Sequence, residues 1–193
     1  MVLLSFSPAW AEAGNPVTVA ELQNALAKYQ AIENLEVDFK QTKILKDIQL
    51  QLKSEGHLSL SPPGRVEWKI LRPQPLSVIL VDQKVTMKSA SGTEEYSQAE
   101  NPSAKDRRSL SSMLIWLKLD AKAIAQSYEV TEMASHLYRF VAKDTHEPVV
   151  KALEMKMDES GHVANLLFEE VSGDSIQLAF SKPNITYQRH ISQ

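Results

Sequence analysis

The feature that most constrains the fold is a period-two alternation of apolar and polar side chains along most of the chain. In IQLQLKSEGHLSL, Ile48, Leu50 and Leu52 alternate with polar neighbours, and the pattern continues through Leu58 and Leu60. Successive side chains of a β-strand point to opposite faces of a sheet. The spacing therefore predicts strands that are buried on one face, as in an antiparallel sheet.

A second strand of this kind lies between prolines. In PPGRVEWKILRP, Val66, Trp68 and Ile70 alternate with charged residues. The run Pro62-Pro63-Gly64 predicts a turn before the strand, and Pro73 predicts its end. One face of this strand is expected to be apolar and the other charged.

Two segments have helical spacing instead. Thr18 and Glu21 form a T-x-x-E capping box, and the apolar residues that follow predict a helix to about Ile32. Asp120 is placed to cap a further short turn. A second helix is predicted just before it, from apolar residues at helical spacing: Leu110, Met113, Leu114 and Leu117.

The remaining segments complete a sheet. The sequence has about nine or ten strand-like runs separated by turn residues. The polar, turn-rich stretch 92–108 predicts a long loop. Strands with helices at the start and past the middle indicate an α+β fold. At 193 residues the chain fits one ordinary domain.

Composition and motifs exclude several functions. The 21 basic residues are outnumbered by 24 acidic ones, without the basic stripe that nucleic-acid binding requires. The sequence has no cysteine and none of the common nucleophile, zinc-protease or nucleotide-binding motifs. We therefore expect no catalytic residue, no cofactor and no metal, since the histidines fall singly at predicted strand ends or turns: His57, His136, His146, His162 and His190.

The first residues resemble the end of a secretory signal. MVLLSFSPAWAEA has a short apolar run followed by Ala9-Trp10-Ala11 as an A-x-A cleavage site. We expect residues 1–11 to be the remnant of a signal peptide and residues 12–193 to form the exported domain. The alternative is an uncleaved, frayed terminus.

The apolar faces of the strands could enclose a ligand. Methionine is flexible, so a face that contains several methionines can adapt to acyl chains of varied shape. The same residues could also form an ordinary packed core, and periodicity does not distinguish the two cases. The predicted lipid-binding residues are Phe39, Leu50, Leu52, Val66, Trp68, Met87, Met113, Leu114, Leu117, Met155 and Phe168.

These patterns resemble those of the LolA-like family of periplasmic lipoprotein carriers and lipid-binding domains. VDFKQT is similar to the family's F-x-Q strand, at Phe39 and Gln41, and SEGHLSL is similar to its glycine-marked next strand, at Gly56. PPGRVEWKILRP is similar to the family's proline, turn and aromatic strand, with Trp68 in the expected place. Pro62 departs from the pattern, because carriers of the standard type have an arginine there.

The resemblance implies an unclosed antiparallel β-barrel with helices over an apolar cavity, and residues 12–193 as a single lipid-binding domain. It also implies a periplasmic carrier in a Gram-negative envelope that takes acyl chains of lipoprotein, or another lipid, from an inner-membrane transporter to an outer-membrane receptor. We expect a monomer without enzymatic activity. The alternatives are a lipid-sensing or lipid-export accessory module that binds a membrane partner, and an enzyme acting on lipid.

Overall fold

The computed structural model describes residues 14–61, 65–81, 84–97, 116, 119–143 and 149–188. Within these ranges three short helices have described bounds: α1 (Val19–Ala25), α2 (Ala27–Gln30) and α3 (Ala121–Ser127). The strands are β1 (Asn15–Pro16), β2 (Ile32–Leu45), β3 (Leu50–Ser61), β4 (Arg65–Arg72), β5 (Leu76–Val81), β6 (Lys84–Ser89), β7 (Gly92–Ser97), β8 (Tyr128–Ala134), β9 (Leu137–Ala142), β10 (Val150–Met157), β11 (Val163–Glu170) and β12 (Ser175–Tyr187).

All twelve strands form one antiparallel sheet in the order β1-β8-β9-β10-β11-β12-β2-β3-β4-β5-β6-β7. The sheet is not closed, because β1 and β7 are its two ends. The expected α+β fold with an unclosed antiparallel barrel is therefore confirmed. The long strands β2 and β12 pair at the centre, and β2 pairs on its other side with β3.

The alternating residues of these strands build the core. On β4 and β5, Val66, Trp68, Val78 and Leu80 are fully buried, while the charged neighbours of Trp68, Glu67 and Lys69, face outward. Burial of a large apolar side chain contributes about 1.5–3 kcal/mol, so this face stabilises the sheet. Leu22 of helix α1 is also fully buried and belongs to the same hydrophobic core.

An aromatic stack joins the centre of the sheet to β4. The rings of Phe39 and Trp68 lie 3.8 Å apart between centroids, with 23° between their planes. Phe39 is opposite Gly56 in the β2–β3 register, and a Cβ on Gly56 would meet Lys69 O at 2.0 Å and Phe39 Cζ at 2.6 Å. The glycine therefore provides the space in which Phe39 stacks on Trp68.

The first helix is shorter than expected. The capping box is confirmed, because Glu21 N–H donates to Thr18 Oγ1 and Thr18 N–H donates to Glu21 Oε2. The bond from the Thr18 N–H lowers the pKa of Glu21. The helix predicted to about Ile32 is divided at Leu26 into α1 and α2 and ends at Gln30, because Ile32 begins β2, where it pairs with Tyr187.

Two further expectations change. The described residues form twelve strands rather than nine or ten, and the stretch predicted as a loop from residue 92 begins with β7. The β7 strand pairs antiparallel with β6, and Lys84 and Thr86 of β6 also contact Glu95 across the hairpin. The rest of that stretch, the signal remnant 1–11 and the predicted turn 62–64 lie outside the described residues. No helix of the described part is long and apolar enough to cross a membrane.

We predict that Gly56→Ala destabilises the protein by at least about 2 kcal/mol, because the new methyl group overlaps a backbone carbonyl of β4 and the Phe39 ring. Urea unfolding followed by tryptophan fluorescence measures this change. Ser59→Ala, on the opposite face of β3, is the control and should shift stability by no more than about 0.5 kcal/mol. Equal stability of the two variants would contradict the role assigned to Gly56.

Candidate lipid-binding site

A small cavity lies between the sheet and the chain segments that cover it. The walls come from β2, β3, β11 and β12, and the cover comes from α2 and the segment before α3. Apart from Tyr29 and His162, the lining is hydrophobic. The lining residues are Tyr29, Leu35, Val37, Leu58, Leu60, Trp116, Leu119, His162, Val163, Leu166, Phe180, Pro183 and Ile185.

The cavity is small in this structure. The volume open to the centres of water-sized molecules is about 40 Å³. About 10–15 Å³ by this measure holds one water, so the space suits a few waters and is too small for an acyl chain. A larger guest enters only if part of the cover moves away from the wall.

Two hydrogen bonds hold α2 against the turn between β10 and β11. The Val163 N–H donates to Tyr29 Oη, and Lys28 Nζ donates to the backbone oxygen of Ser160. Burial raises the pKa of Tyr29, so its hydroxyl stays neutral at physiological pH. We name these two bonds the α2 latch.

The turn that receives the latch is itself ordered by hydrogen bonds. The His162 N–H donates to Asp158 Oδ1 at 2.9 Å, and this bond lowers the pKa of Asp158. The His162 ring lies 2.9 Å from the Tyr187 hydroxyl, measured from Nε2 to Oη. Gly161 has a φ of 79°, a conformation that suits glycine. The latch therefore closes onto a defined surface.

The other part of the cover is positioned by aromatic contacts and a helix cap. Trp116 makes edge contacts with Tyr128 and Phe140, at 4.6 and 5.0 Å between centroids. Asp120 caps α3 by accepting from the N–H groups of Lys122 and Ala123, which confirms the predicted cap. Buried Leu119, between Trp116 and the cap, completes this side of the cavity.

The arrangement is that of a known family of lipid-handling proteins. The family model for the outer membrane lipoprotein carrier protein LolA matches residues 30–190. The chain belongs to the LolA family. No curated protein matches the sequence significantly.

Several solved structures are similar to this chain. A DUF1329 family protein from Desulfovibrio piger matches at 9% identity and a TM-score of 0.50, over 90% of this chain and 93% of that one. A LolA superfamily protein from Nitrosomonas europaea matches at 8% identity and a TM-score of 0.47, over 90% and 96%. A putative outer membrane lipoprotein-sorting protein domain from Vibrio parahaemolyticus matches at 7% identity and a TM-score of 0.45, over 87% and 92%.

In this LolA-family chain, most predicted lipid-binding residues lie beside the cavity and not on its surface. Phe39, Val66, Trp68, Met155 and Phe168 are buried in the core and do not line the cavity. Phe39 and Phe168 are on the same strand faces as the cavity residues Val37 and Leu166, two positions farther along β2 and β11. Met87 is half-buried against the same core. The three predicted helix residues lie outside the described residues: Met113, Leu114 and Leu117.

The prediction that Leu50 and Leu52 face the interior was wrong. Their side chains are 43% and 47% exposed, although they lie on the same face of β3 as Leu58 and Leu60. The β4 strand ends opposite Glu55, so the part of β3 before that residue has no neighbour beyond β2. The alternation identified the face correctly but not the point at which the covering elements end.

Some cavity residues were not among the predicted lipid-binding residues, although they belong to the same alternation of apolar and polar side chains. Val37 shares a face of β2 with Phe39, and Leu58 and Leu60 continue the alternation of β3. Their alternate positions along the strands could have identified them as facing the cavity side of the sheet. Tyr29 and Ile185 could not be found in this way, because their place at the cavity depends on how α2 and the end of β12 pack.

The ionisable groups of the described residues do not assemble a metal site. No group of three or more His, Cys, Asp or Glu side chains that could hold a metal occurs among them. His57 lies within β3 rather than at a strand end, and its Nδ1 is 3.0 Å from Asp38 Oδ1 on the outer face of the β2–β3 pair. The bond from His57 lowers the pKa of Asp38.

We predict that Tyr29→Phe loosens the α2 latch. The variant keeps the ring but removes the acceptor of the Val163 N–H, and a typical hydrogen bond contributes about 1 kcal/mol. Hydrogen exchange at the Val163 amide should accelerate about fivefold. Tyr138→Phe on β9 is the control and should leave that amide unchanged. Unchanged exchange in Tyr29→Phe would show that this bond does not hold α2.

Proposed function

We propose that this LolA-family protein is a periplasmic carrier that binds acyl chains in the cavity beneath α2. It would carry lipoprotein, or another lipid, from the inner to the outer membrane, with residues 12–193 as one carrier domain. It would act by binding and release, without catalysing a reaction. The observation that carries the proposal is a hydrophobic cavity partly covered by α2, which two side-chain hydrogen bonds link to the start of β11 and the turn before it.

The physical need for such a carrier follows from the cost of exposing acyl chains to water. The transfer of each methylene group out of water lowers the free energy by about 0.8 kcal/mol, so an acyl chain crosses an aqueous compartment only when it is shielded. An apolar wall lined by Val37, Leu58 and Ile185 offers that shield. Loading widens the cavity by moving α2 and Tyr29 away from the turn at Val163.

The latch keeps the empty cavity closed and also limits how tightly cargo is held. Breaking two hydrogen bonds costs a few kcal/mol at most, and the burial of an acyl chain offsets that cost. Binding to the open state is weakened by the fraction of molecules that are closed. Release is therefore possible when a receptor competes for the acyl chains.

The partners that fit this cycle are an inner-membrane transporter that loads the carrier and an outer-membrane receptor that unloads it. A transporter that contacts α2 or the β10–β11 turn would open the latch at the membrane. A receptor with a larger apolar site would then receive the chains. The carrier itself would work as a monomer in the periplasm.

We predict that Ile185→Glu lowers the affinity for a fluorescent palmitic acid analogue at least about tenfold. The partly buried Ile185 side chain lines the cavity, and a carboxylate there is disfavoured next to an acyl chain. Fluorescence titration of the purified protein measures the affinity, and circular dichroism confirms the fold. Val141→Glu, on β9 where Val141 is 40% exposed, is the control and should bind normally.

Equal affinity in folded Ile185→Glu and Val141→Glu would show that acyl chains do not enter this cavity. If the wild-type chain binds no acyl analogue and instead captures a membrane regulator, the carrier proposal fails. The alternative of a lipid-sensing or accessory module would then account for the protein better.

A further inference from the structure

The β2–β3 hairpin carries exposed apolar residues at its tip. Ile48 is 66% exposed, and Leu50 and Leu52 are 43% and 47% exposed. Gln49, with a φ of 51°, completes the turn, and its N–H donates to Lys46 O at 3.3 Å. The four-residue connection places Ile48 at the end of the hairpin, where no other described strand continues the sheet.

A neighbouring hairpin supports this tip. The Lys46 N–H donates to Asp174 Oδ1 at 3.0 Å, and Asp174 itself is 7% exposed. That carboxylate belongs to the turn between β11 and β12, where Val171 is 62% exposed. The hydrogen bond fixes the two turns to each other. Apolar side chains from both hairpins are therefore presented at the same end of the sheet.

The charge around the tip is opposite to that of the whole protein. Residues 40–55 contain four lysines and two acidic residues, a net charge of +2 (4 − 2), whereas the full chain has −3. Lys53 lies three residues beyond Leu50, about 10 Å along the strand. Lys46 is at the turn itself. Asp47 is also at the turn, and the Lys46 side chain extends along the neighbouring turn at Gly173. Lys46 and Lys53 are thus exposed basic groups on the hairpin near its apolar tip.

A polar groove lies at the base of the hairpin, where β4 ends. It has a volume of about 600 Å³ and is lined by Lys40, Lys53 and Arg72 together with polar residues of β2 and β3. Arg72 pairs with Glu55, so part of this charge is neutralised within the groove. Lys40 and Lys53 share the outer face of the hairpin, because they are opposite Glu55 and Thr42 in the register. The groove extends the basic surface away from the tip.

We propose that the β2–β3 tip docks the protein on an anionic phospholipid surface. Ile48 and Leu50 would enter the boundary between head groups and acyl chains, while Lys46 and Lys53 would face the lipid phosphates. Apolar insertion and a basic patch are two weak signals that together give reversible membrane binding. Charge complementarity is the reason to assign a lipid surface rather than a protein as the occupant.

The docking surface is separate from the cavity. Leu50 and the cavity residue Leu60 are ten positions apart on β3, which is roughly 30 Å. The inference therefore goes beyond the proposed acyl-chain carrier and can succeed or fail independently of it. A protein that docks in this way would approach a bilayer before any cargo is exchanged.

Vesicle binding tests the proposal. The wild-type chain, mixed with empty vesicles of phosphatidylethanolamine and phosphatidylglycerol, should co-sediment with them and should bind pure phosphatidylcholine vesicles much less. Binding should weaken when the salt concentration rises from about 0.1 M to about 1 M, because the Debye length falls from about 10 Å to about 3 Å. Absence of binding to the anionic vesicles, or equal binding to both kinds at all salt concentrations, would overturn the proposal.

Two pairs of variants locate the surface. Lys46→Gln with Lys53→Gln should weaken binding about 30-fold, whereas Lys122→Gln with Lys151→Gln removes the same charge elsewhere and should have little effect. The double variant Ile48→Ser with Leu50→Ser should weaken vesicle binding at least about tenfold. The control double variant Val81→Ser with Val141→Ser should have little effect on vesicle binding. If the hairpin variants bind as their controls do, another surface is responsible and the inference is wrong.

Acyl-analogue titration in solution separates docking from cargo binding. The hairpin variants should take up the analogue normally, and Ile185→Glu should bind vesicles normally. A hairpin variant that loses both properties would contradict separate surfaces. If the wild-type chain binds only vesicles that contain a membrane protein, the occupant is a protein and the lipid assignment is overturned.

Discussion

The stack of Phe39 on Trp68 is the contact on which the rest of the sheet depends. It joins the central strand β2 to β4 across β3, and it forms only because Gly56 leaves room between them. With this contact in place, the alternating residues of β4 and β5 all face one core. Close packing of this kind tolerates little change in volume, so the stack fixes the wall against which the cavity is built.

The wall and its cover have different physical character. The wall is held by strand pairing and buried apolar side chains, whereas α2 is held at the cavity by the latch from Lys28 and Tyr29. Local opening is expected where few apolar contacts are lost. In the proposed carrier, the wall would stay in place while α2 moves, so that an acyl chain could enter without unfolding of the sheet. These are the properties that a lipid carrier needs.

Sequence alone predicted much of the fold, because alternation and capping are local signals. The faces of β3 and β4, the Thr18 capping box and the Asp120 cap were all visible in the residues. The boundary between the buried wall and the solvent was not visible in the sequence. Leu50 and Leu52 were predicted to be buried, but their exposure depends on where β4 ends. The role of Tyr29 at the cavity likewise depends on tertiary packing. Local patterns identify a face, and only the assembled sheet shows what covers it.

The most direct test of the carrier account is native mass spectrometry of the full-length chain expressed in a Gram-negative periplasm and purified without detergent. The account predicts a population whose excess mass is released by organic extraction as acylated lipid or lipopeptide, and this population should be depleted in Ile185→Glu. Protein that is lipid-free in repeated preparations, or that carries the same lipid in wild type and Ile185→Glu, would contradict the claim that the cavity carries acyl chains.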